Sequence, residues 1–178
     1  MSHRSAVVAL ALVAGLSTVP AAHAGACNAA DVLPTVAPMK ARSATLCLLK
    51  HERASRGLGR LRPSRLLAVA ARRHSKDMVR KQYFAHDSLN GHTFDVRIKA
   101  TGYLAASNGW EIGENLAWGS GAQSTPRSIV AAWMASPPHR RNILKADYRQ
   151  IGIAIHKGSP ASPDPAAATY TTEFGVRG

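Results

Sequence analysis

Three polar side chains, His86, Glu114 and His139, stand in settings that suit them to chemistry. Glu114 lies in "EIGENLAWG", whose alternation is typical of a β-strand with one buried face. A carboxylate on such a face is costly unless it meets a cation or hydrogen-bond donors, and a histidine is an apt partner. The alternative is an edge strand with Glu114 in solvent. The predicted face consists of Ile112, Glu114, Leu116 and Trp118.

His139 follows two prolines and precedes two arginines in "SPPHRRNIL". The prolines restrict the backbone, so the ring is presented rigidly. In the first turn of a helix the imidazole faces the positive end of the helix dipole, which opposes protonation. A neutral, pre-positioned imidazole suits metal ligation or proton acceptance. A solvated surface histidine is the alternative.

The remaining histidines differ in their surroundings. His86, in "YFAHDSLNG", precedes Asp87, which either orients the imidazole or caps the following turn. His74 shares an apolar helical stripe, which predicts a hydrogen-bonded core histidine. We expect structural or solvated positions for His51, His92 and His156.

Familiar catalytic signatures are absent from the sequence. His51-Glu52 lacks the second histidine of H-E-x-x-H, and Ser120 lacks the first glycine of G-x-S-x-G. Spacing reveals no carboxylate pair suited to glycoside chemistry. Spacing alone does not bring the three polar residues together either.

Helices and strands must position these residues, and the chain contains apolar patterns with the period of a helix and others with the period of a strand. Helices are predicted from Lys40 to about Arg56, after Ser64, from Thr93 to Gly102, from Thr125-Pro126 through Trp133, and in "HRRNIL". Strands are predicted in "EIGENLAWG", "QIGIAIHKG" and "TYTTEFGV", the last two forming a hairpin. This order predicts an α+β layered domain.

The first residues resemble a secretory signal rather than part of the fold. Arg4 precedes an apolar run that ends at "PAAHA", with small residues in A-x-A spacing. We therefore predict a signal peptide over 1–24, an N-terminal arm and helix start over 25–42, and one domain over 43–178. No later stretch suggests a membrane anchor, and we expect a monomer.

Cys27 and Cys47 are the two cysteines of the chain. An exported protein meets an oxidising environment, so we predict a disulfide that ties the arm to the first helix. Lipidation of Cys27, after "AGA", is the alternative.

The chain is strongly basic. Removing the single charge of Arg4 from the net charge of +13 leaves +12 for residues 25–178. Outside the cell, the expected partner is an anionic envelope polymer or a lipid surface. Nucleic acid is not expected, because no stripe of exposed aromatics is interleaved with the basic residues.

Taken together, six stretches resemble the CAP superfamily of cysteine-rich secretory, antigen 5 and pathogenesis-related proteins, and most closely its bacterial secreted branch. They occur in the family order over about residues 46–176. These stretches are "LCLLKHERASRGLGRL", "AARRHSKDMVRKQYFAHDS", "GENLAWGSG", "WMASPPHRRNIL", "QIGIAI" and "YTTEFG".

The resemblance implies a three-layer α-β-α sandwich with a small, mainly antiparallel sheet and a central cleft. Two histidines and two glutamates face that cleft in animal and plant members and can hold a divalent metal. By motif, His86, Glu114 and His139 match three of them, while Ser136 occupies the usual place of the second glutamate. A His-Glu-His set is thus implied, able to hold zinc with an open water position.

Four functions follow as hypotheses. The first is a secreted module that binds lipid, sterol or anionic envelope polymer. The second is a zinc-assisted hydrolase in which Glu114 activates water. The others are a structural or signalling platform and direct antimicrobial action.

Overall fold

The computed structural model describes residues 27–105 and 107–178. The predicted signal peptide lies outside these residues. The described part contains five α-helices and a four-stranded sheet. In chain order they are α1 (Pro38–Ala54), β1 (Arg62–Pro63), α2 (Arg65–Lys81), α3 (Phe94–Lys99), β2 (Trp110–Ser120), α4 (Pro126–Ala135), α5 (Pro137–Leu144), β3 (Gln150–Lys157) and β4 (Ala167–Arg177).

The strands lie in the order β1-β3-β4-β2. β4 is antiparallel to both of its neighbours, and the predicted β3–β4 hairpin is confirmed. β1 was not predicted, since it contains only two residues, one of them a proline. It pairs parallel with β3, placing Arg62 beside Gln150.

One face of the sheet packs against α1, α4 and α5. The predicted alternation of β3 and β4 directs Ile151 and Ile153, with Tyr170 and Phe174, to this side. The indole of Trp133 also donates to the Leu116 carbonyl at 2.9 Å. The helical side of this core includes Leu48, Leu49, Ile129, Val130, Trp133 and Ile143.

The opposite face packs against α2 and α3. Leu67 and Ala70 of α2 join Ile98 and Tyr103 in a second buried cluster. α2 lies so close to β3 that a Cβ on Gly152 would be 2.1 Å from the Leu67 carbonyl carbon. The α+β fold and its three α-β-α layers are therefore confirmed.

Local chemistry explains the helix starts. The Ser64 hydroxyl accepts from the Leu67 amide, so the cap predicted there is confirmed, and the Thr125 hydroxyl likewise accepts from the Ser128 amide. Thr93 precedes α3 but makes no side-chain hydrogen bond to the helix, so the cap predicted there is wrong. α5 begins at Pro137, two residues before the predicted start, because proline is well suited to a first helical position.

The N-terminal arm is fixed at two points. Cys27 and Cys47 form a disulfide, so that prediction is confirmed, and a Cys27 sulfur in this bond carries no lipid thioether. The arm also contacts α4, since the Arg127 amide donates to the Ala30 carbonyl at 2.9 Å and its guanidinium pairs with Asp31.

No helix in the described ranges has both the length and the apolar character needed to cross a bilayer.

Candidate functional site

Glu114 lies in the middle of β2 and faces the layer formed by α2 and α3. Its residue is 4% exposed, so the alternative of a solvated edge glutamate is wrong. Leu116 is also buried on this face, but Trp118 is 40% exposed because β2 is an edge strand. The inward prediction for Trp118 is therefore wrong.

Two nitrogen donors contact the carboxylate of Glu114. His86 Nδ1 lies 2.8 Å from Oε1, and Arg97 Nη2 lies 2.7 Å from Oε2. Burial favours the neutral acid, but the His86 hydrogen bond and the Arg97 charge outweigh it and hold the pKa of Glu114 below its usual value. The same hydrogen bond raises the pKa of His86. The carboxylate is therefore ionised and paired with donors, which is the condition that the sequence analysis set for a glutamate on a buried face.

Arg97 was not predicted as a site residue. It lies on α3, and its Nη1 donates to the carbonyls of His86 at 2.7 Å and His92 at 2.9 Å. One guanidinium therefore fixes both the carboxylate and the loop that carries His86. The sequence signal was weak, because Arg97 is one of two cations that flank Ile98 in a short helix, and only the fold reveals its partner.

Glu173 is a second buried carboxyl group that sequence reasoning missed. It lies directly opposite Glu114 in the β2–β4 register and is completely buried. Burial and the negative charge of Glu114 raise the pKa of Glu173 well above its usual value, so it is protonated where Glu114 is ionised. The available signal in the sequence was a charged residue within the predicted strand "TYTTEFGV".

The interior around these carboxyls is unusually polar. His74, Thr171 and Glu173 contribute buried polar atoms on the sides of α2 and β4 that face each other, and Arg97 adds its Nε from α3. His74 is buried as predicted, and its Nε2 contacts the Ala85 carbonyl at 2.9 Å. Within the described residues, the buried atoms lacking a hydrogen-bond partner are His74 Nδ1, Arg97 Nε, Thr171 Oγ1 and both Glu173 oxygens.

His139 approaches the site from the other helical layer. Its carbonyl accepts from Asn115 Nδ2 at 3.0 Å, which ties α5 to β2. Burial, and then the positive charge of His86, lower the pKa of His139, so the ring is neutral near pH 7, as its place in the helix predicts. Ser136 caps α5 without a side-chain hydrogen bond to the helix.

Asn142 completes the link between α5 and the edge strand. Its Nδ2 lies 3.0 Å from the Glu114 carbonyl and 2.9 Å from Asn115 Oδ1. Together with Trp133, it occupies carbonyls on the outer edge of β2, which blocks further strand pairing there. His86 and His139 thus approach the edge strand β2 from opposite faces of the sheet.

A metal held by the three predicted ligands fits this arrangement poorly. Both oxygens of Glu114 already meet nitrogen donors, one of them a permanent cation. Within 27–105 and 107–178, no group of three or more His, Cys, Asp or Glu side chains is arranged to hold a metal ion. The two imidazoles remain the donors suited to zinc, and a metal role for them stays a prediction.

Comparison with known proteins settles the family. The profile described as the cysteine-rich secretory protein family, CAP, matches residues 46–169. The chain belongs to the CAP family. The resemblance noted in the sequence is therefore confirmed, together with the fold that it implied.

Individual relatives agree with this placement. YkwD of Bacillus subtilis (strain 168) is 40% identical over 116 residues, covering 63% of this chain and 41% of YkwD. YlbC of the same strain, described as a membrane protein, is 28% identical over 59% of this chain and 28% of its own length. The chain thus spans less than half the length of these curated relatives.

Solved structures share the fold. An outer surface protein of Borrelia burgdorferi has a TM-score of 0.62 and 22% identity, covering 75% of this chain and 90% of that protein. An extracellular protein of Bacillus anthracis str. Ames that contains an SCP domain has a TM-score of 0.58 and 24% identity, covering 77% of this chain and 43% of that one.

Proposed function

We propose that this CAP domain is a secreted binding module whose cleft takes the polar head of an amphiphilic molecule, a lipid or a sterol. The basic start, apolar run and A-x-A spacing of residues 1–24 support export. Family membership and the outer-surface and extracellular relatives point the same way.

The observation that carries the proposal is the double occupation of the Glu114 carboxylate. With Oε1 on His86 and Oε2 on Arg97, and with a side chain only 1% exposed, Glu114 acts as an anchor. Because an ionised carboxylate can only accept hydrogen bonds, His86 donates to Glu114 from Nδ1. The Nε2 atom then lies on the opposite edge of the ring, away from Glu114. The His86 side chain is 54% exposed, so this edge offers a polar contact to a ligand.

Exposed apolar side chains near His86 supply a surface for the apolar tail of such a ligand. Phe84 is 46% exposed, Leu89 64% and Val96 40%, and all three belong to the segment that Arg97 fixes beside Glu114. Apolar residues next to a polar contact suit an amphiphile, because its tail covers them while its head binds histidine.

The same contacts disfavour the hydrolase hypothesis. A general base needs a free oxygen within reach of a water, and a pKa near the working pH. Glu114 meets donors at both oxygens, is shielded from solvent, and has a lowered pKa. His86 and His139 remain a candidate pair for zinc, in which Glu114 would orient His86 rather than bind the ion.

Ligand titration tests the amphiphile proposal. A fluorescent fatty acid and a fluorescent sterol are titrated into the wild-type protein and into a Phe84→Ser/Leu89→Ser variant. Affinity for at least one ligand should fall about tenfold, as expected for two lost apolar contacts. Val36→Ser/Met39→Ser, which alters exposed apolar residues just before α1 and in its first turn, should bind as the wild type does. Equal losses in both variants, or no binding of either ligand, would contradict the proposal.

A further inference from the structure

A second candidate site lies at the other edge of the sheet. A cavity of about 750 Å³ opens where β1, the start of β3 and the end of β4 meet. β1 and β2 are the opposite edge strands, so this cavity is separate from the cleft around Glu114. Its lining includes five cationic residues, Lys50, Arg60, Arg62, Arg149 and Arg177, which we call the arginine groove.

The charge in this groove is uncompensated. Its lining contains no Asp or Glu, and in the described part of the chain none of the five cations forms an ion pair. Elsewhere on the surface cations do pair, as in Arg56 with Glu52 and Lys81 with Asp77. Like charges gathered without counterions repel one another, and a bound anion relieves that repulsion.

A buried cation beneath the groove strengthens its positive field. Arg53 is fully buried, and its Nε donates to the carbonyl of Gly59, a lining residue, at 2.8 Å. Its other partners are carbonyls, those of Ile143, Lys145 and Tyr148. Among the described residues no carboxylate neutralises Arg53, so its charge adds to that of the groove.

Part of the groove is preorganised. Arg177 donates from Nη1 to the Tyr103 carbonyl at 2.8 Å, and its guanidinium lies 4.9 Å from the centre of the Tyr103 ring. A guanidinium held in this way loses less conformational entropy when it binds an anion. Arginine also presents paired N–H donors that match phosphate oxygens.

The lining narrows the class of anion. A single small anion cannot balance five cations, whereas a chain of phosphates can. Single-stranded nucleic acids that bind in grooves usually stack their bases on aromatic side chains, and the described lining contains none.

We propose that the arginine groove binds a linear chain of phosphate groups without nucleobases, as in inorganic polyphosphate or a phosphodiester polymer of the cell envelope. This site is independent of the amphiphile cleft. It gives the strongly basic surface a defined point of attachment.

Matched charge variants test the proposal with medium-length inorganic polyphosphate as the probe. Arg60→Gln/Arg62→Gln removes two exposed cations from the groove, whereas Arg72→Gln/Arg73→Gln removes two from the exposed side of α2. Titration calorimetry of the full domain at fixed salt should give a Kd about tenfold weaker for the groove variant, and a change below about threefold for the control. Unchanged melting temperatures confirm that both variants fold.

Three outcomes of these charge-variant titrations would overturn the proposal. Equal losses in the two variants would mean that only diffuse charge attracts the polymer. Single-stranded DNA binding as tightly as polyphosphate would refute the preference for a base-free chain. Vesicles of phosphatidylglycerol that need Arg60 and Arg62, when polyphosphate does not, would assign the groove to lipid headgroups instead.

The two proposals fail separately. Phe84→Ser/Leu89→Ser should keep full affinity for polyphosphate, and Arg60→Gln/Arg62→Gln should keep the affinity for fatty acid or sterol. Polyphosphate affinity that falls with the Phe84 and Leu89 changes would place its site at the cleft and refute the groove.

Discussion

Glu114 and Glu173 face each other on neighbouring strands, yet their environments give them opposite charge states. Glu114 has His86 and Arg97 as partners, and these keep it ionised. Burial and the negative charge of Glu114 both disfavour ionisation of Glu173, so it keeps its proton. Two adjacent carboxyls thus hold one negative charge between them in the interior.

Replacement of Glu173 by Gln should stabilise the domain at neutral pH. The folded pKa of Glu173 lies above its unfolded value, so its contribution is favourable at low pH and is lost as the pH rises toward the folded pKa. Between these values the wild type should lose up to about 1.4 kcal/mol per pH unit relative to the variant. Thermal unfolding from pH 4 to pH 8 measures this, and a difference that does not grow with pH would contradict a protonated Glu173.

His86 should show a pH dependence of the same sign when it is replaced by Gln, because its folded pKa is also raised. Its folded pKa is raised by the hydrogen bond to Glu114, so its stabilising effect is complete below the unfolded pKa and vanishes as the pH rises through the folded value. The variant should therefore melt a few degrees below wild type near pH 5.5, and this deficit should shrink as the pH rises to 9, where only the neutral hydrogen bond is lost. His51→Gln serves as control on α1, and a deficit of His86→Gln that is equally large at both pH values would rule out the charged pair.

At the level of the elements, the patterns of the sequence located all five helices and three of the four strands. Apolar periods of 3.6 and 2 reflect burial of one face, which is a local property of each segment. β1 was not predicted because a strand of two residues is too short to show an alternating pattern. The burial of Glu114 stayed open in the sequence for a related reason, since a strand pattern does not tell whether a helix covers an edge strand.

Close contact between α2 and β3 depends on Gly152. Replacement by Ala would place Cβ 2.1 Å from the Leu67 carbonyl carbon and 2.2 Å from the Ala68 amide nitrogen, both backbone atoms that cannot move aside alone. We expect Gly152→Ala to lower the free energy of unfolding by about 3 kcal/mol or more. Urea denaturation of the variant and the wild type measures this difference in the free energy of unfolding.

Gly109→Ala is the matched control, because nothing lies within 4 Å of its added Cβ. It should change stability by less than about 1 kcal/mol. A loss for Gly152→Ala no larger than that of the control would show that α2 does not pack this tightly.

At the scale of the molecule, the disulfide joins an arm that also contacts the domain through Ala30, which is buried in the main core, and through polar contacts with Arg127. Cys27 and Cys47 are 20 residues apart in sequence. Opening a loop of this size should cost about 3 kcal/mol, since the unfolded chain regains its freedom.

Cys27→Ala/Cys47→Ala should therefore melt below wild type, and wild type under reducing conditions should match it. The variant should retain polyphosphate affinity, because the arginine groove lies away from the arm. Identical melting of the oxidised wild type and the variant would refute a stabilising bridge.

The sequence by itself predicted the layered α+β class, the disulfide partners and three candidate polar residues, of which the structure brings His86 into contact with Glu114. These follow from local periods, from the number of cysteines, and from motifs that stand in a family order. The tertiary structure alone decided that Arg97 and Glu173 join Glu114, and that five cations converge at the opposite sheet edge. Their partners are distant in the chain, and the free energy of a charge depends on what surrounds it in space rather than on its neighbours in sequence.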